Sequence, residues 1–306
     1  MIVEKVYSTI DTHVAGELYR MVILSGIVTQ GGGIEEVSKK IKVENKREQQ
    51  LLLNEPRGHR DVCGCYVVPS AVADFGIILF HHGEEEGLHF LYGGVVASIT
   101  TLLETGNLQR NKENYYKVET IDGVLNVYAS YENGEVKNVS VFMEADIDME
   151  EKETYSIVSI KQELPCVLFP LPTTIPKLTY DYLLEIEAWG RKQTKFFLKE
   201  RTPFSQLVLF DQQSTGKFRS VTFEKDGTIL RSPGFLTSTA LAAYSMERGD
   251  AYKKITNESI FESSFTVKES PSHPQMSEVQ TEAFITGFYK FVFDEEDPLY
   301  EGFLLK

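Results

Sequence analysis

The amino-acid sequence predicts an α+β protein made of two pseudo-symmetric domains, each a curved, mostly antiparallel sheet wrapped around one central helix. Three observations lead there. Apolar and polar residues alternate with a period of two along much of the chain. Tight-turn signals punctuate that alternation. Two distant segments break it with an apolar pattern at helical spacing.

The strand-like runs are Ile2–Tyr7, Val62–Val68, Ile77–His81, Tyr115–Thr120, Val124–Tyr131, Val136–Phe142, Gln206–Phe210 and Ser220–Glu224. Glu132-Asn133-Gly134 separates two of them and reads as a tight hairpin, and Asp226-Gly227 does the same between Phe223 and Ile229. The strands are therefore expected to be largely antiparallel. In the first helical segment Val95, Val96, Ile99, Leu102 and Leu103 recur on helical spacing, Gly93-Gly94 reads as its opening and Gly106 as its cap. In the second, Leu236, Ala240, Leu241, Ala243, Tyr244 and Met246 repeat the spacing after Ser232-Pro233-Gly234, and Gly249 closes it. Each follows a strand region, Phe75–His81 or Ser220–Leu230. A helix apolar around most of its circumference belongs in an interior, so each is placed inside a curved sheet, with the Gly-rich helix starts facing each other. Helix starts carry unsatisfied N–H groups and a positive dipole end, and two of them suggest a carboxylate pocket. The plainer reading is that these glycines only permit tight turns.

Composition narrows the function classes. A chain of 306 residues, 42% of them hydrophobic, can bury a sizeable core and is long for one compact unit. A formal charge of -14 with no Lys/Arg-rich stripe repels a phosphate backbone, which argues against nucleic acid as a partner. Met1–Val6 alternates around Glu4-Lys5 and no apolar run reaches bilayer length, so the expectation is a cytoplasmic protein with no membrane partner. Cys63, Cys65 and Cys166 are too few and too unevenly spaced for a disulfide framework or a structural zinc site. The charged stretches Glu35–Arg47 and Glu150–Glu153 read as solvated faces or loops.

Ile10-Asp11-Thr12-His13-Val14-Ala15-Gly16-Glu17, Asn54-Glu55-Pro56-Arg57-Gly58-His59-Arg60-Asp61 and Ala73-Asp74-Phe75-Gly76 resemble successive signatures of the proline racemase, hydroxyproline epimerase and trans-3-hydroxyproline dehydratase family. The resemblance continues in order through Glu104-Thr105-Gly106, Leu230-Arg231-Ser232-Pro233, Asn257-Glu258-Ser259-Ile260, Phe265-Thr266, Ile285-Thr286-Gly287, Phe291–Leu299 and Gly302-Phe303. It implies the diaminopimelate epimerase-like fold, with one half at 1–118 plus 282–306, the other at 119–281, and a ligand cleft between them. It further implies a small-molecule ligand, no cofactor, no metal, and a monomer or homodimer.

Members of that family invert a carbon next to a carboxylate with two opposed cysteines, each at the start of a central helix where the dipole lowers the thiol pKa. This chain departs from the pattern at both places. The first cysteine position falls on Leu91 or Tyr92, depending on whether Glu104-Thr105-Gly106 or Glu86-Gly87 anchors the register, and the second falls on Gly234. The aspartate that holds the substrate's ring nitrogen is replaced by Leu230, and the Gly-Thr-Gly that cradles the carboxylate by Phe235-Leu236-Thr237. The ligand-cleft candidates are Tyr92, Gly93, Gly94, Ser232, Gly234, Phe235, Thr237 and Ser238.

Other groups are weighed against plain structural roles. Cys63 and Cys65 share one strand face and read first as small core residues. Asp11, His13, His59 and Asp61 read as structural hydrogen-bonding groups. His81, His82 and His89 flank Glu84-Glu85-Glu86, a loop more readily than a metal site. Three readings follow: a diverged member that binds a small carboxylate-type ligand or partner without cysteine chemistry; an isomerase or lyase with substitute acid/base groups; and a closed-cleft structural or regulatory subunit.

Overall fold

A computed structural model describes residues 5–24, 33–82, 88–144, 147–160, 165–249, 254–270, 276–294 and 296–305. The start of the Ile2–Tyr7 run and the Glu84–Glu86 loop lie outside the described residues, as does the side chain of His89. The chain divides into two compact units, Met1–Val141 with Glu282–Lys306, and Phe142–Thr281.

In the first unit the chain forms β1 (Lys5–Val14), β2 (Glu17–Ile23), α1 (Ile34–Glu44), α2 (Lys46–Leu53), β3 (Val62–Val68), β4 (Phe75–Phe80), α3 (Leu88–Glu104), β5 (Tyr115–Thr120), β6 (Gly123–Glu132) and β7 (Glu135–Glu144). The last strand of the chain, β16 (Ala283–Phe293), returns to it. The sheet order is β16-β1-β2-β3-β4-β5-β6-β7, and neighbours are antiparallel except at β2–β3 and β4–β5. The second unit comprises β8 (Ile147–Glu151), β9 (Ser156–Ile160), β10 (Cys166–Pro170), α4 (Leu183–Lys199), β11 (Gln206–Ser214), β12 (Lys217–Phe223), α5 (Phe235–Glu247), β13 (Lys254–Glu258), β14 (Ser264–Glu269) and β15 (Met276–Thr281). Its order is β8-β9-β10-β11-β12-β13-β14-β15, with the parallel joints at β10–β11 and β12–β13. The two units therefore repeat one pattern of joints. In both, helices cross at the two parallel joints, because parallel neighbours need a crossover. The division after Val141 lies downstream of the 118/119 boundary read from the sequence, because β5 pairs with β4 and carries β6 and β7 with it.

The central strands of each sheet, β3 and β4 in the first and β10 and the start of β11 in the second, are buried on both faces. On one face of the first, Val62, Tyr66, Val68, Ile78 and Phe80 pack with Ile34, Val37, Ile41, Leu51 and Leu52 of α1 and α2. The stretch Glu35–Arg47 is thus helical, not loop; its charged side faces water while Ile34, Val37 and Ile41 pin the other side. A methyl at Gly64 would run into the Phe80 ring, which itself stacks on Tyr66 with centroids 4.5 Å apart. The second unit repeats the device: Val167, Phe169, Leu207, Leu209, Val221 and Phe223 pack with Ile186 and Phe197 of α4, and a methyl at Gly190 would enter the Phe223 ring. The opposite faces receive α3 and α5, the two helices expected from the sequence. Among the described residues, no helix is long and apolar enough to cross a membrane.

The hairpin read at Glu132-Asn133-Gly134 joins β6 to β7, with Asn133 at φ 52° and Gly134 at φ 91°, the left-handed region that tight hairpin turns demand. Beyond the reach of periodicity, the first sheet is tied together by a buried ion pair. Arg20 on β2 donates from Nε to Asp11 Oδ1 at 3.0 Å and from Nη2 to Asp11 Oδ2 at 2.8 Å. Its Nη1 donates to the carbonyls of Leu52 at 2.5 Å and Arg57 at 2.8 Å, and its guanidinium lies over the Phe291 ring. One cation thus links β1, β2, the end of α2 and β16. Replacing Asp11 by Ala leaves that cation buried without its partner and is expected to cost about 3–5 kcal/mol in urea unfolding. A loss under about 1 kcal/mol would contradict the structural role assigned to Asp11.

Candidate functional site

Of the two central-helix starts, that of α5 has its N-cap among the described residues. Gly234 sits at its N-cap with φ 77°, a backbone conformation that costs any residue with a Cβ. A Cβ there would also stand 3.2 Å from Thr237 Oγ1. Gly234 supplies no side chain to cap the helix, and the first turn of α5 carries no acidic residue. Ser238 N–H closes the first helical bond, to Gly234 O at 3.0 Å, and the N–H groups ahead of it meet no carbonyl within the helix, so its positive end suits an anion.

The side chains of the turn are held by the sheet. Phe235 is buried, with its ring 4.6 Å from that of Phe265 on β14, so it belongs to the core. Thr237 Oγ1 lies 2.8 Å from Thr222 Oγ1 and donates to Gln206 Oε1 at 3.3 Å. Ser238 Oγ accepts from Asn257 Nδ2 at 3.1 Å, and the same Nδ2 donates to Pro233 O at 3.3 Å. Ser232, Thr237 and Ser238 are all buried. Leu230 is buried too, its N–H donating to Thr222 O at 2.9 Å. Gln206, Thr222 and Asn257 were absent from the candidates drawn from sequence. Gln206 and Thr222 belong to runs whose pattern looks ordinary, and their inward placement shows only in the fold, where Leu207, Leu209, Val221 and Phe223 face α4.

The start of α3 differs from expectation. The helix begins at Leu88, so Gly93 and Gly94 lie inside it and do not open it. Their amides therefore belong to the helical ladder and offer no anion site. What they provide is close approach. A Cβ at Gly93 would collide with the Tyr19 hydroxyl on β2, and one at Gly94 would stand 2.8 Å from Leu79 Cδ2 on β4. Burying the helix against both strands offsets the roughly 1 kcal/mol that glycine costs in a helix interior. Leu91 is buried and Tyr92 half-buried, both about one turn into the helix.

None of the thiols stands at a helix start. Cys63 and Cys65 lie on β3 and Cys166 on β10, all three buried. Burial pushes the Cys65 thiol far above the ordinary cysteine range, the opposite of what a thiolate catalyst needs. The polar set near the N-terminus is engaged locally. Asp11 holds Arg20, His13 stacks on Phe284 with centroids 5.4 Å apart, and burial lowers the His13 pKa. His59 Nδ1 accepts the Asp61 N–H at 3.3 Å. His81 stacks on Phe90, and His82 Nε2 lies 3.2 Å from Leu53 O. Among the described residues, no group of three or more His, Cys, Asp or Glu is placed to hold a metal ion.

Residues 9–153 match the family described as Proline racemase. The chain is 30% identical to the trans-3-hydroxy-L-proline dehydratase of Bacillus thuringiensis subsp. konkukian, with 100% of each chain covered. A hydroxyproline epimerase from Agrobacterium vitis, solved with bound trans-4-OH-L-proline, superposes with a TM-score of 0.71 at 18% identity, covering 100% of this chain and 96% of that one. A probable proline racemase from Agrobacterium radiobacter K84, solved with bound carbonate, gives 0.72 at 18% identity over 98% and 96% of the two chains.

The buried thiols make a direct prediction. At pH 8 a disulfide-exchange reagent is expected to label native protein at least about a hundredfold more slowly than urea-unfolded protein at all three cysteines. Rapid labelling of native Cys63 or Cys65 would contradict their placement in the core.

Proposed function

Because this chain belongs to the proline racemase family, we propose that it binds a small carboxylate at the start of α5 and does not carry out the two-cysteine chemistry of racemisation, epimerisation or dehydration. One observation carries the reading: the three thiols are buried in strands, while the N-cap of α5 is a glycine whose φ of 77° excludes an unstrained cysteine.

Inversion next to a carboxylate requires one group to take the proton from one face and a second to return a proton to the other. Burial disfavours the Cys65 thiolate. The hydroxyls of Thr237 and Ser238 are held by Thr222, Gln206 and Asn257. An anion at the α5 start still meets the N–H groups of the first turn and the dipole behind them. Leu230 limits which anion. In a closed site, an ammonium beside this buried side chain would lack a counter-charge, at a cost of several kcal/mol. The ligand that fits is a small carboxylate without a charged amine on the Leu230 side.

Purified protein incubated in deuterated buffer with L-proline, both 4-hydroxyproline epimers and trans-3-hydroxyproline is expected to leave every α-proton in place by NMR. Exchange that disappears in a Tyr92→Phe or Cys63→Ala variant would establish substitute acid/base groups and overturn the proposal.

A further inference from the structure

The two units share their pattern of strand joints but not the chemistry of the layer that meets the central helix. Toward α3, β3 and β4 present Cys65 beside Leu79 and Val67 beside Ile77, and β5 presents Val118 in register with Phe75, all buried. Toward α5, β11 presents Gln206, β12 presents Ser220 and Thr222, and β13 presents Asn257 in register with Phe218. These four are 2%, 1%, 0% and 0% exposed respectively. Burying polar side chains costs free energy unless each is fully bonded, and here the bonding is incomplete. Among the described residues, Gln206 Nε2, Ser220 Oγ and Asn257 Oδ1 have no hydrogen-bond partner. An apolar layer of the kind found in the first unit would avoid that cost.

Asn257 shows what the polar layer gives in return. Its Nδ2 bridges Pro233 O, in the loop entering α5, and Ser238 Oγ, on the first turn after Gly234. Pro233 O can only accept, which fixes the amide orientation: the nitrogen faces the loop and the oxygen is the unpartnered atom. The N-cap itself holds nothing, because Gly234 has no side chain. The clamp that a capping side chain would ordinarily make at the N-terminus is therefore made from the neighbouring strand, across both sides of the glycine.

We propose that Asn257 is a positioning residue: it locks the Pro233–Ser238 turn so that the first amides of α5 hold one fixed direction toward a bound carboxylate. This deepens the carboxylate-binding reading and rests on it for the ligand, while the locking itself is testable without one. Amide hydrogen exchange would be measured on the full chain as wild type, Asn257→Leu, Asn257→Asp and Ser238→Ala, with acetate as the binding probe in a parallel titration. Both Asn257 variants lose the two donors. They are expected to speed exchange at Leu236–Ser238 by about tenfold or more, leave Ala240–Tyr244 unchanged, and weaken acetate binding by a similar factor. Ser238→Ala keeps the Pro233 bond and is expected to change exchange less than about threefold.

Uniform acceleration along α5, or none, would overturn the proposal, and so would failure of both Asn257 variants to fold, which would make the residue general scaffold. A wild-type protein that takes up no acetate refutes the carboxylate reading. Since exchange is read without ligand, it still decides whether Asn257 locks the turn.

Discussion

A helix with no exposed face is the constraint on which the rest of this structure depends. From Phe235 to Ser245 every residue of α5 is buried, and α3 is buried almost as completely between Leu91 and Leu102. Such a helix cannot lie on a surface, so a sheet must wrap it. The sheet's outer face must then be covered in turn, by α1 and α2 in one unit and α4 in the other. Close packing on both sides explains where glycine is required. Gly93 and Gly94 let α3 touch β2 and β4, while Gly64 and Gly190 make room for Phe80 and Phe223 on the outer faces. The Asp11–Arg20 pair closes the first unit by joining elements that are far apart in sequence.

The same constraint separates the two helix starts. In α3 the glycines are consumed by packing, and the helix begins ahead of them. In α5 the glycine sits at the N-cap, where its positive φ turns the chain into the helix and leaves the first amides without a capping side chain. On β11, β12 and β13 the inner layer of the second unit carries Gln206, Ser220, Thr222 and Asn257 where β3, β4 and β5 of the first carry apolar side chains, and its bonds converge on Pro233, Thr237 and Ser238. In the proposed reading, the burial of the three thiols and the apolar side chain of Leu230 support binding without cysteine chemistry.

Much of this was legible in the sequence. The short apolar run Val62–Val68 and the alternation of Tyr115–Thr120 marked β3 and β5, and the apolar spacing of Val95–Leu103 and Leu236–Met246 marked both central helices. Helix α1 was missed because Glu35–Arg47 is dense in charge, and the inward apolar residues Ile34, Val37 and Ile41 are too sparse to dominate the pattern. The start of α3 was misplaced because glycine signals both turns and close packing, and only the neighbouring Tyr19 and Leu79 tell which. The polar layer under α5 escaped notice for a related reason. Ser220 and Thr222 look like the solvent side of an alternating strand until Val221 and Phe223 are seen to face α4, a relation no local pattern contains.

The most direct test of the account is an amide NMR titration of the full-length protein with a small carboxylate that bears no amine. The account predicts saturable shifts centred on Phe235, Leu236 and Thr237 that vanish when the carboxylate is replaced by its neutral amide. Shifts centred elsewhere, or none at these residues at any accessible concentration, would show that the start of α5 is a packed turn and nothing more.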